Sequence, residues 1–258
     1  MEQANGMKIS AVIITFNEED RLPDALASLQ GIADEIVVVD SYSTDRTLAI
    51  ARDGQARVWQ NRFEDYGRQK NFAMGKAAHE WILNLDADER VSPELKRAIG
   101  ELKEKTTPPG LAAFAIKRKT FYLGRWIRHS GWYPDRKIRL FRKSSATWQG
   151  RIHEKLLVTG AVARLGGDIL HFTYRDIGDH VRRLDRYANF QAEEIVRRNI
   201  KLLPPRLLIL PPVTFLRHYI WKLGLLDGFP GLVIAMVSSW GTALKYLKAM
   251  AMKRRSRG

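Results

Sequence analysis

Three features of the sequence predict an α/β fold in which a mostly parallel sheet carries helices and is followed by a helical C-terminal region. Apolar runs of strand length alternate with helix-length segments over the first hundred residues. Each run ends in polar and acidic residues, at the strand ends where open α/β sheets bind ligands. From residue 196 the chain mixes long apolar stretches with basic residues and a single acid.

Lys8 to Thr15 reads as a buried strand, and a helix follows from about Leu22 to Leu29 with Asp20 as its cap. Glu35 to Asp40 is the second strand, and Ser43, Thr44 and Asp45 offer caps for a helix running to about Arg52. A third strand covers Ala56 to Gln60, a helix spans about Tyr66 to Ala78, and the next strand is Trp81 to Leu85. Ser92-Pro93-Glu94 opens another helix with a cap and a proline in its first turn. Right-handed crossovers then give a parallel sheet of nucleotide-binding type. After Pro108-Pro109-Gly110 the alternation stops, and shorter strands are expected at Ala112 to Arg118, Lys137 to Arg142 and Ile169 to Thr173. A helix of about Ile177 to Ile200 joins the C-terminal region.

The 258 residues carry a net charge of +15, which calls for an anionic partner: nucleic acid, a phosphorylated substrate or a membrane surface. Residues 196–258 hold 12 Lys and Arg against the single acid Asp227, so +11 of the excess lies there. Lys117 to Lys143 is a second basic island, interleaved with aromatics. Two apolar runs in the tail, Leu202 to Phe215 and Gly228 to Leu244, are interrupted by proline or small polar residues, so interfacial or re-entrant burial fits them better than a span. The absence of cysteine excludes disulfides, thiolate zinc sites and cysteine nucleophiles. Met1 to Met7 shows no apolar core of a secretory leader, so the protein is expected to stay inside the cell.

Chemistry concentrates at the strand ends. Asp86 and Asp88, one residue apart, suit a hard divalent cation that shares substrate phosphates. A solvated acidic turn is the plainer reading of Asp-x-Asp alone. Neither a P-loop nor a G-x-G-x-x-G fingerprint occurs, so phosphates must be held differently. Clustered carboxylates also argue against nucleic acid, whose phosphates they would repel.

The blocks S-A-V-I-I-T-F-N-E-E (Ser10 to Glu19), E-I-V-V-V-D-S-Y-S-T-D-R-T (Glu35 to Thr47), Q-K-N-F-A (Gln69 to Ala73) and W-I-L-N-L-D-A-D-E-R (Trp81 to Arg90) resemble family 2 glycosyltransferases. G-W-Y-P-D-R-K-I-R-L-F (Gly131 to Phe141), W-Q-G-R-I-H-E-K-L (Trp148 to Leu156) and H-F-T-Y (His171 to Tyr174) resemble the branch of lipopolysaccharide core β-1,4-glucosyltransferases.

The resemblance implies a GT-A type domain. Residues 1–105 would bind nucleotide-sugar and metal, 106–175 would supply acceptor contacts and the base, and 176–258 would form a basic, membrane-facing helical appendage. It implies that Thr15, Asn17, Glu18 and Asp40 bind the uridine of a UDP-sugar, that Arg68, Lys70 and Asn71 lie near the pyrophosphate, and that Asp86 serves nucleotide and metal while Asp88 ligates Mg²⁺ or Mn²⁺ directly. Arg68, Lys70 and Asn71 also fit an ordinary solvated helix face. Glu154 is the candidate base of an inverting transfer. His153 is the alternative base or the group that orients Glu154, and a structural Glu-His pair is the plainer reading. His171 is a candidate third metal ligand or simply a strand histidine. Trp132, Tyr133, Arg139 and Trp148 are candidates for acceptor binding, with a generic aromatic core as the alternative. The expected activity moves glucose from UDP-glucose to an inner-core heptose on an anionic glycolipid, at the cytoplasmic face of the bacterial inner membrane and with peripheral membrane contact. Transfer to another lipid-linked acceptor such as polyprenyl phosphate is the runner-up, and a non-catalytic nucleic-acid or membrane-binding module is the rival class.

Overall fold

The computed structural model of the protein describes residues 6–150, 154–201 and 203–255. These divide into two compact units, Met1–Arg118 with Asp135–His171, and Lys119–Pro134 with Phe172–Gly258.

The first unit is built on a sheet of order β3-β2-β1-β4-β8-β6-β11-β5. Strands β1 (Ile9–Thr15), β2 (Glu35–Asp40), β3 (Arg57–Gln60) and β4 (Trp81–Asp86) run parallel. They are joined through α1 (Leu22–Leu29), α2 (Thr47–Asp53) and α3 (Tyr66–Lys76). Beyond β4 the sheet turns antiparallel, so it is mixed. β5 (Glu89–Val91) follows β4 after a two-residue turn and leads to α4 (Pro93–Lys103). The long β6 (Leu111–Tyr122) pairs antiparallel with β8 (Asp135–Arg142), and β8 pairs antiparallel with β4. A separate two-stranded ribbon joins β9 (Ala146–Gln149) to β10 (Lys155–Val158). β11 (Ala161–His171) lies between β6 and β5 and pairs antiparallel with β5, which forms the far edge.

Strand alternation sorts the side chains onto two faces. Ile9, Ala11, Ile13, Leu83 and Leu85 face α1 and α4, while Val12, Val37, Val39 and Ile82 face α3. The caps depart from expectation in two places. Asp65 and Ser92 accept the Arg68 and Leu95 backbone N–H groups at the starts of α3 and α4, but α1 has Arg21 rather than Asp20 at its cap position, with no side-chain bond and Pro23 in its first turn, and α2 has Arg46 there, also without a side-chain cap, while Asp45 accepts the Thr47 N–H at 2.9 Å.

The second unit consists of the hairpin closed by β7 (Arg125–Trp126) against the end of β6, and of α5 (Ile177–Arg197), α6 (Leu203–Leu216) and α7 (Phe229–Arg255). The hairpin belongs with the helices because Tyr122 and Ile127 pack into one apolar cluster with Val233, Ile234 and Val237 of α7. A second cluster joins Ala192 and Ile195 of α5, Leu203 of α6, and Tyr246 and Ala249 of α7. The uncharged run Gly228 to Leu244 is therefore divided in α7: Val233, Ile234, Ala235, Val237 and Gly241 are buried, while Phe229, Met236 and Trp240 are exposed. No helix among the described residues is long and apolar enough to cross a membrane.

Candidate active site

The carboxyl ends of β1 and β2 are laced together. In register, Thr15 faces Asp40, and the Thr15 hydroxyl donates to Asp40 Oδ1 at 3.2 Å. Asp40 is fully buried and also accepts from the Ser43 backbone N–H at 2.9 Å, the Ser43 hydroxyl and Gln60. Asn17, in the left-handed region at φ 54°, accepts the Thr44 N–H through Oδ1 at 2.9 Å, and its own N–H donates to Ser43 Oγ. The Glu18 N–H donates to Thr47 Oγ1 at 2.8 Å. These bonds fix the two loops and leave Phe16 and Tyr42 exposed beside them, each at 57%. Sequence reading missed both aromatics. The signal was present in T-F-N and D-S-Y-S, where an aromatic sits among strand-end polar residues and has no apolar neighbours to pack against.

The second cluster grows from β4. Asp86 ends the strand, and its carboxylate lies between two cations, with Lys70 Nζ 3.1 Å from Oδ1 and Arg139 2.8 Å from Oδ2. Burial alone would raise its pKa, but Arg139 and Lys70 outweigh that and hold the carboxyl far below the usual range. Burial likewise opposes the charge on Arg139, yet Asp86 and Glu89 raise its pKa above the ordinary value. Fully buried Glu89 accepts from Arg139 at 2.6 Å and from the Asp86 backbone N–H at 3.1 Å, closing the Asp86–Glu89 turn. Lys70, itself buried, lies 3.0 Å from Glu154 Oε1 and 4.6 Å over the Trp148 ring. One ammonium thus joins Asp86 to Glu154.

The turn points Asp88 elsewhere. Antiparallel pairing sets His171 opposite Glu89, one residue from Asp88, and His171 Nε2 lies 3.4 Å from Asp88 Oδ2. Arg21 approaches the same carboxylate at 3.8 Å. His171 Nδ1 is buried without a hydrogen-bond partner among the described residues. Two ligands in adjacent positions around one ion, at bond lengths of about 2.1 Å, lie about 3 Å apart. A hard carboxylate oxygen and an imidazole nitrogen at 3.4 Å therefore fit a divalent cation that takes its remaining ligands from water and substrate.

Several expected roles change. Asp86 is set apart from Asp88 and His171, both its oxygens being engaged by cations, and no group of three or more such side chains is arranged for a metal among the described residues. Asn71 is structural: its amide accepts from Trp148 N–H and donates to Trp148 C=O, both at 2.9 Å, as a strand neighbour would. Arg68 is exposed and paired with Glu64 and Asp65 of its own segment. Of the acceptor candidates, Arg139 is buried in the Asp86–Glu89 cluster. Trp148 is largely buried against Phe141 and lines a cavity of about 380 Å³ together with Arg68, Asn71 and Gly150. Trp132 packs on Tyr122, Tyr174 and His180 in the core of the second unit, which also contains Tyr133, so these four residues do not form one patch within either unit. His153 lies outside the described residues. Sequence reading also missed Arg21 and Glu89, whose roles depend on a turn and a strand pairing that motif spacing does not reveal.

The description of glycosyl transferase family 2 matches residues 10–154. The lipopolysaccharide core biosynthesis glycosyltransferase LpsC of Rhizobium meliloti is 29% identical over 96% of this chain and 95% of its own. An uncharacterized glycosyltransferase of Rickettsia typhi is 30% identical over 97% of this chain and 89% of its own. Among solved structures, glucosyl-3-phosphoglycerate synthase from Mycobacterium tuberculosis, in complex with Mn²⁺ and uridine-diphosphate-glucose, aligns at 26% identity and a TM-score of 0.36, covering 45% of this chain and 44% of that one.

Proposed function

The chain belongs to glycosyl transferase family 2, and from that premise we propose that it moves glucose from UDP-glucose to a heptose of the lipopolysaccharide inner core, inverting the anomeric centre. The observation that carries this reading is the shared ammonium of Lys70, which sets the candidate base Glu154 beside Asp86 at the end of β4. The acceptor class is supported by the near full-length similarity to a lipopolysaccharide core enzyme.

The strand-end loops give the donor a place to lie. Exposed Phe16 and Tyr42 offer ring faces to a base, and the laced residues Asn17 to Thr47 hold those rings in place. Asp88 and His171 would hold Mg²⁺ or Mn²⁺, which supplies neutralising charge at the departing diphosphate. Lys70 adds a positive charge at the end of β4, beside Asp86. Glu154 Oε1 takes the proton of the acceptor hydroxyl as that oxygen attacks the anomeric carbon opposite the leaving UDP. Arg139 and Glu89 position this machinery by holding Asp86 and the turn in shape.

Purified protein supplied with UDP-glucose, Mn²⁺ and a heptose-terminated inner-core acceptor should release UDP and form one β-linked glucoside, read by NMR of the product. Retention of configuration, or transfer to polyprenyl phosphate in preference to the heptose acceptor, would overturn the assignment.

A further inference from the structure

We propose that the second unit docks on the surface of an anionic phospholipid bilayer through the outer face of α6 and the loop that follows it. This inference stands apart from the identity of donor and acceptor, since it rests on side chains of the helical unit alone.

α6 is apolar on both sides. Inward, Leu203, Leu207 and Leu210 join the cluster with Tyr246 and Ala249, and α7 fastens the helix through Ser239, whose hydroxyl donates to the Pro211 carbonyl at 2.8 Å. Outward, Leu208 is 76% exposed, with Ile209, Val213 and Leu216 exposed at three- and four-residue spacing along the same helix. The stripe continues through the π-turn Arg217–Trp221, where Trp221 is 69% exposed, and into the 3₁₀ segment Gly224–Asp227, where Leu225 and Leu226 stand in solvent. Exposed apolar side chains grouped along consecutive elements in this way mark an interaction site.

The loop is held in this exposed form. Asp227 is buried and accepts from the backbone N–H groups of Arg128 and His129, each at 3.0 Å, and from the Ser130 hydroxyl at 2.8 Å. At Gly224 a Cβ would come within 2.5 Å of the His218 carbonyl, so only glycine permits the close approach. Leu225 and Leu226 are therefore presented by a pinned turn.

Charge selects the occupant. Asp227 is the only acid in residues 196–258, and it is buried, so Arg206, Arg217 and Lys222 border the stripe without a compensating carboxylate from that segment. Beside them a groove of about 420 Å³ between α5, α6 and α7 presents Arg217, Lys245, Thr214 and Thr242, and no carboxylate lines it among the described residues. A second copy of the chain would bring the same positive face against itself. An anionic leaflet supplies both the apolar phase and the opposite charge. Within the run Gly228 to Leu244, by contrast, Val233, Ile234 and Val237 are buried inside the unit.

The test is flotation of the full chain with vesicles of phosphatidylcholine alone or mixed with phosphatidylglycerol. The wild type should float with the anionic vesicles only, and high salt should weaken that binding in part. Leu208→Glu with Ile209→Glu should cut the bound fraction at least tenfold while circular dichroism stays unchanged. Val162→Glu, at an exposed position of the first unit, should bind as the wild type. Failure of the wild type to float at low salt would overturn the proposal, as would flotation of the double variant at the wild-type level. Conversion of a dimer to a monomer by the double variant, with no change on vesicles, would reassign the stripe to a second copy.

Discussion

Lys70 places two carboxylates within reach of one charge, and the consequences differ for each. Asp86 has Arg139 as a second cation at its carboxylate, whereas Glu154 has none but Lys70 among the described residues. The proposed reaction asks Glu154 to accept the proton of the acceptor hydroxyl. Glu154→Gln should therefore lower transfer by about 10² to 10⁴, the usual contribution of a general base, with UDP affinity little changed in calorimetric titration. Near wild-type transfer would make Glu154 structural. Asp88→Asn removes the carboxylate that faces His171. It should weaken Mn²⁺-dependent UDP binding at least tenfold and leave metal-free binding as it is, and equal losses with and without Mn²⁺ would remove Asp88 from metal binding. Arg139 shows why residue type misleads here. Its place in a basic island suggested acceptor contact, but its guanidinium is buried between Asp86 and Glu89, and removing one partner of such a cluster leaves an uncompensated buried charge.

At the scale of elements, the start of α5 carries a histidine set among aromatic rings. His180 stacks on Tyr174 with centroids 4.2 Å apart, and its Nδ1 lies 2.9 Å from the Tyr122 hydroxyl. Burial pushes its pKa down from the ordinary 6.5 to about 4, with Arg183 adding to the drop and Asp179 opposing it. The folded protein then binds fewer protons than the unfolded chain between those values, so stability is full above about pH 6.5 and is lost as pH falls toward 4. The urea midpoint should fall between pH 7 and pH 5, and His180→Gln should flatten that slope; an unchanged slope in the variant would clear His180. β1, β2 and β4 were legible because strands buried on both faces must be apolar throughout, and the acids at their ends followed. β5 was not, since Glu89-Arg90-Val91 has no apolar run of its own and becomes a strand only by pairing with β11. α6 was hidden by its prolines. Pro204 and Pro205 lie in its first turn, where an N–H has no helical partner. Pro211 and Pro212 lie inside the helix, and the Pro211 carbonyl is bonded by Ser239 of α7. Asn71 was misread because a side-chain amide bound to a strand backbone leaves no trace in residue spacing.

For the whole molecule, each unit has its own apolar clusters. Donor and metal contacts assigned above lie in the first unit, so UDP with Mn²⁺ at a hundredfold excess over its dissociation constant should stabilise that unit by about 2.7 kcal/mol. Scanning calorimetry should show one transition raised and one unmoved, whereas a single transition that shifts as a whole would mean that the units unfold together. The buried Asp227 has a further consequence for how the protein responds to its surroundings. With the one acid of residues 196–258 enclosed and hydrogen-bonded, the charge of that segment's exterior rests on lysines and arginines, which ordinarily titrate above about pH 10. Acidification over the range that cells experience has almost nothing there to neutralise. For the proposed docking, control of this face falls instead to ionic strength and competing polyanions.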